Sequence, residues 1–231
     1  SGNSSSVKNK INTSAPAPSS TSQQGSGVFG QGNDQLINGL KEALSLSATN
    51  SSAILSAVDG YFKNPLIKIP MPPDAKIVET KLRSLGMGDE VDKMILSMNR
   101  AAESAAKDAA PIFVDAIKSM SFSDAMGIVQ GPNDAATQYL KRTTSAQLTA
   151  KFHPVIQAAL DKTEATKYWS DIFSTYNKIP FVKPVNSDLN GYVTQKALDG
   201  LFLTMAGEEA KIRKDPAATA NQLIQSVFGK H

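Results

Sequence analysis

The sequence predicts an all-α fold, a bundle-like single domain of roughly eight to ten helices with two short Pro-rich extended segments. Apolar residues recur at a spacing close to 3.6 in one segment after another from residue 34 onward. No segment shows the strict alternation of a half-buried strand, and no Asn-Gly pair separates two apolar runs as it would in a hairpin. The apolar fraction of 41% over 231 residues is large enough for a sizeable core.

The first 33 residues differ from the rest of the chain. They are rich in Ser, Asn, Gln, Gly and Thr, carry only Lys8 and Lys10 as charges, and lack an apolar face. Such a segment cannot bury enough surface to offset its ordering entropy, so we expect 1–33 to be a disordered polar tail and 34–231 a single helical domain. A tail of this kind follows a cleaved export signal or a lipid-anchor segment, and it also occurs as an ordinary disordered terminus. Composition does not distinguish a processed export or anchor segment from an ordinary disordered terminus.

Two helices are predicted before the first Pro-rich segment. Asp34 is the expected cap of the first helix, which carries apolar residues as far as Leu44. A second helix follows Ser51 or Ser52, and Asn64-Pro65 ends it because the residue before proline avoids helical dihedrals.

Two Pro-rich segments interrupt the helical pattern. Residues 65–73 contain four prolines and residues 178–185 contain two, and we expect both to be extended because proline fixes φ and lacks a backbone donor. Both contain the triplet Lys-Ile-Pro, at 68–70 and at 178–180. Three matching residues are a weak signal, so coincidence is favoured over a side-by-side arrangement. A helix from Asp74 to Gly86 follows the first segment.

The clearest helical pattern is a core seam three heptads long, with alternating spacings of four and three residues. Its members are Val91, Ile95, Met98, Ala102, Ala105, Ala109 and Ile112. The second half is rich in alanine, so a neighbouring helix can approach closely. Pro111 removes a backbone donor and clashes one turn back, which predicts a kink or break near 107–111.

Further helices are expected after this seam, each with start or stop signals. The predicted segments are 124–130 with Ser121 or Ser123 as cap, 133–142, a helix opened by the Thr144 and Gln147 capping box with a kink at Pro154, 164–177, 188–209, and a last helix from the Asp215 cap to Gly229.

The residue inventory excludes several chemistries. The chain has no cysteine and only two histidines, which excludes disulfides and thiolate metal sites. Phosphate-binding glycine loops, nucleophile elbows and paired Glu-x-x-His motifs are absent, so no cofactor and no metal are expected. Without the two tail lysines, 22 basic residues face 21 acidic ones, too even a balance for a nucleic-acid interface. No run of 18 apolar residues predicts a transmembrane segment.

One candidate site lies in the alanine-rich helix. Asn99 and Glu103 are four residues apart and share a face, and Arg100 is three residues before Glu103. Three interpretations remain open: a solvated face with a local ion pair, a buried structural network, or the floor of a ligand pocket.

A second polar face is predicted on the helix over 188–209. Tyr192, Lys196 and Asp199 lie on it, and Arg213 follows near its end together with Glu208 and Glu209. Tyr139, on a short preceding helix, is placed to join either cluster. An ordinary amphipathic surface is the favoured explanation of this face.

In their order along the chain, these motifs resemble the bacterial family catalogued as domain of unknown function 4197. The resemblance spans about 35–230, through KIPMPP at 68–73, NRAAE at 99–103, PIFVDAIKSM at 111–120, FSDAMGIVQG at 122–131, AATQYLKRTT at 135–144, DLNGYVTQKALDGLF at 188–202, EEAKIR at 208–213 and VFGK at 227–230.

The resemblance implies a helical fold and an exported protein of the periplasm or cell envelope, with the tail as a spacer and lipid anchoring left open. It implies no activity and no catalytic residue. The candidate ligand-binding residues are the polar positions within these motifs: Asn99, Arg100, Glu103, Tyr139, Tyr192, Lys196, Asp199 and Arg213.

Three functions are compatible with these observations. A non-enzymatic binding or interaction domain for a small amphipathic ligand, a lipid or an envelope protein ranks first, and it predicts an apolar pocket rimmed by Arg100, Lys196 or Arg213. A carboxylate-based hydrolase or lyase would use Glu103 or Asp199 as base and Lys196 or Arg213 as anion holder. A structural oligomeric subunit would associate through the helix over 188–209 or the alanine seam.

Overall fold

The computed structural model describes residues 26–215, with side chains from residue 32 onward. Within this range the chain forms α-helices and one 3₁₀ turn and has no strand, so the predicted all-α class is confirmed. The helices are α1 (Ser26–Ser56), α2 (Lys76–Ser84), α3 (Gly88–Ala106), α4 (Ala109–Lys118), α5 (Phe122–Val129), α6 (Ala135–Lys162), α7 (Ala165–Tyr176) and α8 (Leu189–Lys214). A 3₁₀ turn (Pro73–Ala75) precedes α2. No helix in this part of the chain is both long enough and apolar enough to cross a bilayer.

The long helices form the centre of the molecule. Helix α6 packs on α8 and α3, and α1 packs on α4 and α8. The largest fully buried side chains are Trp169, Tyr61, Phe113, Phe152 and Phe173. Burying one such aromatic or aliphatic side chain stabilises the fold by about 1.5–3 kcal/mol, so the core is the dominant favourable term.

The alanine seam occupies the interior as predicted. Ala101, Ala102, Ala105 and Ala106 are all fully buried on α3, where α1, α6 and α8 pack against that helix. The break expected near Pro111 is also confirmed, because α3 ends at Ala106 and α4 begins at Ala109. Pro111 is then the third residue of α4, where its missing N–H removes no intrahelical hydrogen bond.

Helix α1 corrects three predicted boundaries. It begins at Ser26 rather than at Asp34, it runs through Ser51 and Ser52 without a break, and it ends at Ser56 rather than at Asn64. The hydroxyl of Ser52 donates to the backbone oxygen of Ala106 (2.6 Å), a contact with α3. Ser52 is therefore an interior residue of α1 that contacts α3 and not the cap of a new helix, and the two predicted helices are one.

Helix α6 is likewise continuous where two helices were predicted. Thr144 donates its hydroxyl to the backbone oxygen of Leu140, within the helix, so the capping box predicted with Gln147 is wrong. Pro154 lies inside α6 without ending it. The Ser121 cap of α5 is confirmed, with Asp124 completing its capping box.

The last described helix, α8, is longer than predicted. Helix α8 extends to Lys214, beyond the predicted end at 209. Asp215, the predicted cap of the last helix, is the C-cap residue of α8, and the rest of that predicted helix up to Gly229 lies outside the described residues, as do residues 1–25. The division into a tail over 1–33 and a single domain over 34–231 therefore stays a prediction.

Two non-helical segments contain the Pro-rich stretches. We call residues 59–72, between α1 and the 3₁₀ turn, the strap. We call residues 177–188, between α7 and α8, the α7–α8 loop.

Candidate functional site

Asn99 attaches the strap to α3. Its side chain is fully buried. Asn99 Oδ1 accepts from the Ile69 backbone N–H (2.9 Å), and Asn99 Nδ2 donates to the backbone oxygens of Ile69 (2.9 Å) and Ile95 (2.8 Å). Both amide donors and the amide oxygen are therefore committed to backbone groups within the protein.

Glu103 attaches the start of the strap to the same helix. Glu103 Oε1 accepts from the backbone N–H groups of Tyr61 and Phe62 (both 3.1 Å), and Glu103 Oε2 accepts from Arg100 Nη1 (2.7 Å). The carboxylate is buried, so its charge is compensated by hydrogen bonds and an ion pair rather than by water.

Arg100 bridges Glu103 to the strap. Its Nη2 donates to Asp59 Oδ1 (2.8 Å), and hydrogen bonds to Glu103 and then to Asp59 raise the pKa of Arg100. Hydrogen bonds from Lys63 and then from Arg100 lower the pKa of Asp59. Asp59 has a left-handed backbone with φ of 71°, which these contacts hold in place.

Two tyrosines join the strap to α8. The Tyr192 hydroxyl donates to the Pro70 backbone oxygen (2.7 Å), and the Tyr61 hydroxyl donates to the Ala197 backbone oxygen (2.6 Å). Burial raises the pKa of Tyr192 to about 12, and burial together with Glu103 raises the pKa of Tyr61. A Cβ at Gly200 would lie 2.8 Å from the Tyr61 ring, so glycine is required where the strap meets α8.

Arg213 belongs to a separate cluster around Glu209. The buried Glu209 carboxylate accepts from the backbone N–H groups of Ala136 and Thr137 (both 2.9 Å), which are the second and third residues of α6. Arg213 Nη2 donates to Glu209 Oε1 (2.8 Å) and to the Ile128 backbone oxygen (2.9 Å). A carboxylate from α8 thus satisfies free N–H groups at the start of α6, where the helix dipole favours negative charge.

The remaining candidates lie at the surface. Lys196 and Asp199 are exposed on α8, and Asp199 Oδ1 accepts from Gln195 Nε2 (2.9 Å). Tyr139 is half-buried beneath Arg142, whose guanidinium lies 5.4 Å from the ring centroid, and burial followed by the nearby Asp124 charge raises the pKa of Tyr139.

The structure therefore separates the candidate residues into three sets. Asn99, Arg100, Glu103 and Tyr192 hold the strap, Arg213 supports the Glu209 cap, and Tyr139, Lys196 and Asp199 are elsewhere. Around Asn99 the contacts are those of a buried structural network, one of the three open interpretations. A ligand-binding role for the full set stays a prediction.

An apolar cavity of about 340 Å³ lies between α2, α3 and α7. It is lined by Met71, Leu82, Met87, Glu90, Val91, Lys93, Met94, Ser97, Thr163, Ala165, Tyr168 and Ile172. Methionine side chains are flexible and polarizable, and they adapt to ligands of irregular shape.

A more open groove of about 620 Å³ lies between α3 and α6. It is lined by Ser97, Arg100, Ala101, Ser104, Lys107, Pro154, Val155, Ala158, Ala159, Lys162 and Thr163. Ser97 and Thr163 line both spaces. Of the three cations expected at the rim of a pocket, Arg100 lines the groove, whereas Lys196 and Arg213 line neither space.

An apolar pocket was predicted, but its place and most of its lining residues were not. Val91 was assigned to the core seam, but Met87 and Met94 were not singled out, although they lie seven residues apart and share its face of α3. That spacing is the signal in the sequence. The contribution of Met71 depends on where the strap docks, which no local pattern shows.

The fold and the site define an all-helical protein with an apolar, methionine-lined cavity and polar motif residues committed to internal contacts. The profile of the family described as "Protein of unknown function (DUF4197)" matches residues 30–229. The chain belongs to this family, which confirms the resemblance seen in its motifs. Neither the curated proteins nor the solved structures contain a match to the chain.

Proposed function

We propose that this protein is a non-enzymatic binding protein that holds a small amphipathic ligand in the cavity between α2, α3 and α7. The observation that carries the proposal is the cavity itself, whose volume of about 340 Å³ and mainly apolar lining are those of a small-molecule site. One acid and one base, Glu90 and Lys93, are its charged lining residues, so net charge does not oppose entry of an apolar group.

The buried carboxylates favour binding over a carboxylate-based enzyme. A general base needs a free lone pair within reach of a substrate proton. The Glu103 and Glu209 carboxylates are buried, accept hydrogen bonds within the protein and line neither the cavity nor the groove. Asp199 is exposed on α8 and does not line the cavity or the groove.

An envelope location is part of the proposal and rests on the resemblance of the sequence to exported proteins. A structural oligomeric role stays an alternative, for which sedimentation over a range of concentrations is the direct test.

The cavity is tested by filling it. Ser97 is half-buried and lines the cavity, whereas Ser104 lies two turns along the same face of α3 and lines only the groove. We expect the uncharged fluorescent probe N-phenyl-1-naphthylamine to bind the wild-type protein and the Ser104→Phe variant, and to bind the Ser97→Phe variant at least tenfold more weakly.

The comparison is valid only if both variants unfold cooperatively in urea. If Ser97→Phe does not, the smaller Ser97→Leu variant is used in its place. Absence of probe binding to the wild-type protein, or equal binding to both serine variants, would contradict the proposal.

A further inference from the structure

We propose that the ligand is an acidic single-chain amphiphile, with its hydrocarbon chain in the cavity and its carboxylate or phosphate headgroup in the groove between α3 and α6. This inference rests on the proposed function and specifies the chemistry of the ligand. It follows from the junction of the two spaces and from the different charge of their linings.

The cavity and the groove adjoin each other. Ser97 on α3 and Thr163 at the end of α6 line both of them. In the proposed complex, a ligand whose chain fills the cavity passes between these two residues and places its headgroup in the groove. The groove floor there includes Ala101, Ala158 and Ala159, whose small side chains leave room for a headgroup.

The groove has the charge that an anion requires. Among the described residues that line it, three are cations, Arg100, Lys107 and Lys162, and none is a carboxylate. Within the part of the chain that the structure describes, neither lysine forms an ion pair, and both are exposed. Arg100 is already bound to Glu103 and Asp59. The two lysines are therefore the groups available to a headgroup.

A structural explanation of these lysines also exists. Lys107 caps the end of α3 and Lys162 is the last residue of α6, positions where a cation interacts favourably with the helix dipole. Such a role affects stability and leaves ligand selectivity unchanged. The experiment therefore has to measure selectivity between charged and uncharged headgroups.

The size of the cavity favours one hydrocarbon chain over two. A volume of about 340 Å³ is near the lower end of the range for small-molecule sites, which begins at about 300 Å³. A two-chain phospholipid would have to leave one chain in the open groove, where Lys107 and Lys162 are exposed.

The test compares three ligands with the same chain: dodecanoate, dodecyl phosphate and uncharged dodecanol. The two acids are used below their critical micelle concentrations and the alcohol below its solubility limit. Each ligand is titrated as a competitor of bound N-phenyl-1-naphthylamine. The titration is made on the wild-type protein, on a Lys107→Gln/Lys162→Gln double variant and on Lys151→Gln. Lys151 is a matched control because it is an exposed lysine on α6 that lines a separate depression with Asp108 and Asp115.

We expect the wild-type protein to bind at least one of the two acids more tightly than the alcohol. The double variant should lose about tenfold in affinity for that acid and keep its affinity for the alcohol, and Lys151→Gln should change neither. Added salt should weaken binding of the acid to the wild-type protein, since the lysines are exposed. The preferred acid tells a carboxylate headgroup from a phosphate headgroup.

Two failures are distinguishable. Equal wild-type affinity for the acids and the alcohol, or an equal loss for both in the double variant, overturns the headgroup site and leaves the cavity proposal intact. If none of the three ligands displaces a probe that Ser97→Phe weakens, the proposed ligand class is wrong and the cavity proposal stands. If the probe itself does not bind the wild-type protein, both proposals are wrong.

Discussion

The strap and the α7–α8 loop contain the same triplet, Lys-Ile-Pro, in opposite environments. Ile69 of the strap is fully buried, whereas Ile179 of the loop is 50% exposed. In both segments an asparagine side chain binds the N–H and the C=O of a single residue. Asn99 binds Ile69 (both 2.9 Å), and Asn177 binds Val185 (both 2.8 Å).

The difference lies in where each asparagine is anchored. Asn99 is on the buried face of α3, 30 residues from Ile69, so its hydrogen bonds draw the strap into the core. Asn177 precedes Val185 by only eight residues, so its hydrogen bonds close a local loop whose tip faces solvent. Burial of a Pro-rich segment is thus decided by its distant partner rather than by its own sequence.

The largest expected contrast is between the two isoleucines. Replacing Ile69 with Ala should lower the free energy of unfolding by about 2–5 kcal/mol, because it creates a cavity in a packed core. Replacing Ile179 with Ala should change it by less than about 0.5 kcal/mol, because that side chain is half-exposed. Urea unfolding followed by circular dichroism measures both. Similar losses in the two variants would show that the environments do not differ as described.

The two asparagines form the next pair. Asn99→Ala leaves the buried N–H and C=O of Ile69 without partners and should cost about 3 kcal/mol of unfolding free energy. Asn177→Ala acts on part-buried groups that water can reach, and it should cost about 1 kcal/mol. The same urea experiment compares them, and a larger loss for Asn177→Ala would reverse the proposed order of the two attachments.

A smaller effect is expected from Tyr192, which joins the strap to α8. Tyr192→Phe removes its hydrogen bond to the Pro70 backbone oxygen and should cost about 1 kcal/mol at neutral pH. The pKa of Tyr192 is raised in the folded protein to about 12, so the protonated hydroxyl contributes fully below about pH 10 and its contribution is lost as pH rises through 12.

The stability difference between wild type and Tyr192→Phe should therefore shrink over that alkaline range. Urea titrations from pH 7 to 11.5 measure it. A difference that stays constant with pH would show that the hydroxyl does not titrate as part of this contact.

The smallest effect is expected at the tip of the loop. Phe181 is fully exposed and has a left-handed backbone with φ of 66°, which disfavours any residue except glycine. Phe181→Gly should leave stability unchanged or raise it by up to about 1 kcal/mol. Phe181→Ala is the control, because it removes the ring and keeps the strained Cβ. Equal stability gains in both variants would place the cause in the ring rather than in the backbone.

Much of the fold was predictable because helix formation is signalled locally. The seam from Val91 and the break before Ala109 follow from spacing and from one proline. The continuity of α1 and α6 was not predictable, because a serine or threonine also occurs inside helices, where its hydroxyl binds a neighbouring helix or a carbonyl one turn back. Ser52 uses its hydroxyl to bind α3, and Thr144 binds within its own helix.

The candidate site was predictable in part for the same reason. Asn99 and Glu103 stood out as polar residues in an apolar helix. Both side chains are buried and form hydrogen bonds within the protein. Their partners lie 30 and 42 residues away in the chain, so no spacing rule identifies Ile69 and Tyr61. Glu209 was noted only as one of several charges, because its role as a cap of α6 depends on tertiary packing.

The attachment of the strap to α8 has a consequence for folding. The hydrogen bond between Tyr61 and Ala197 joins residues 136 apart in sequence, and that between Tyr192 and Pro70 joins residues 122 apart. Contacts that close such long loops carry a larger entropic cost than those within a helix, so we expect the strap to dock after the helices have formed and to complete the cavity wall with Met71 at that step. We expect the cavity to be closed only in molecules whose strap is docked.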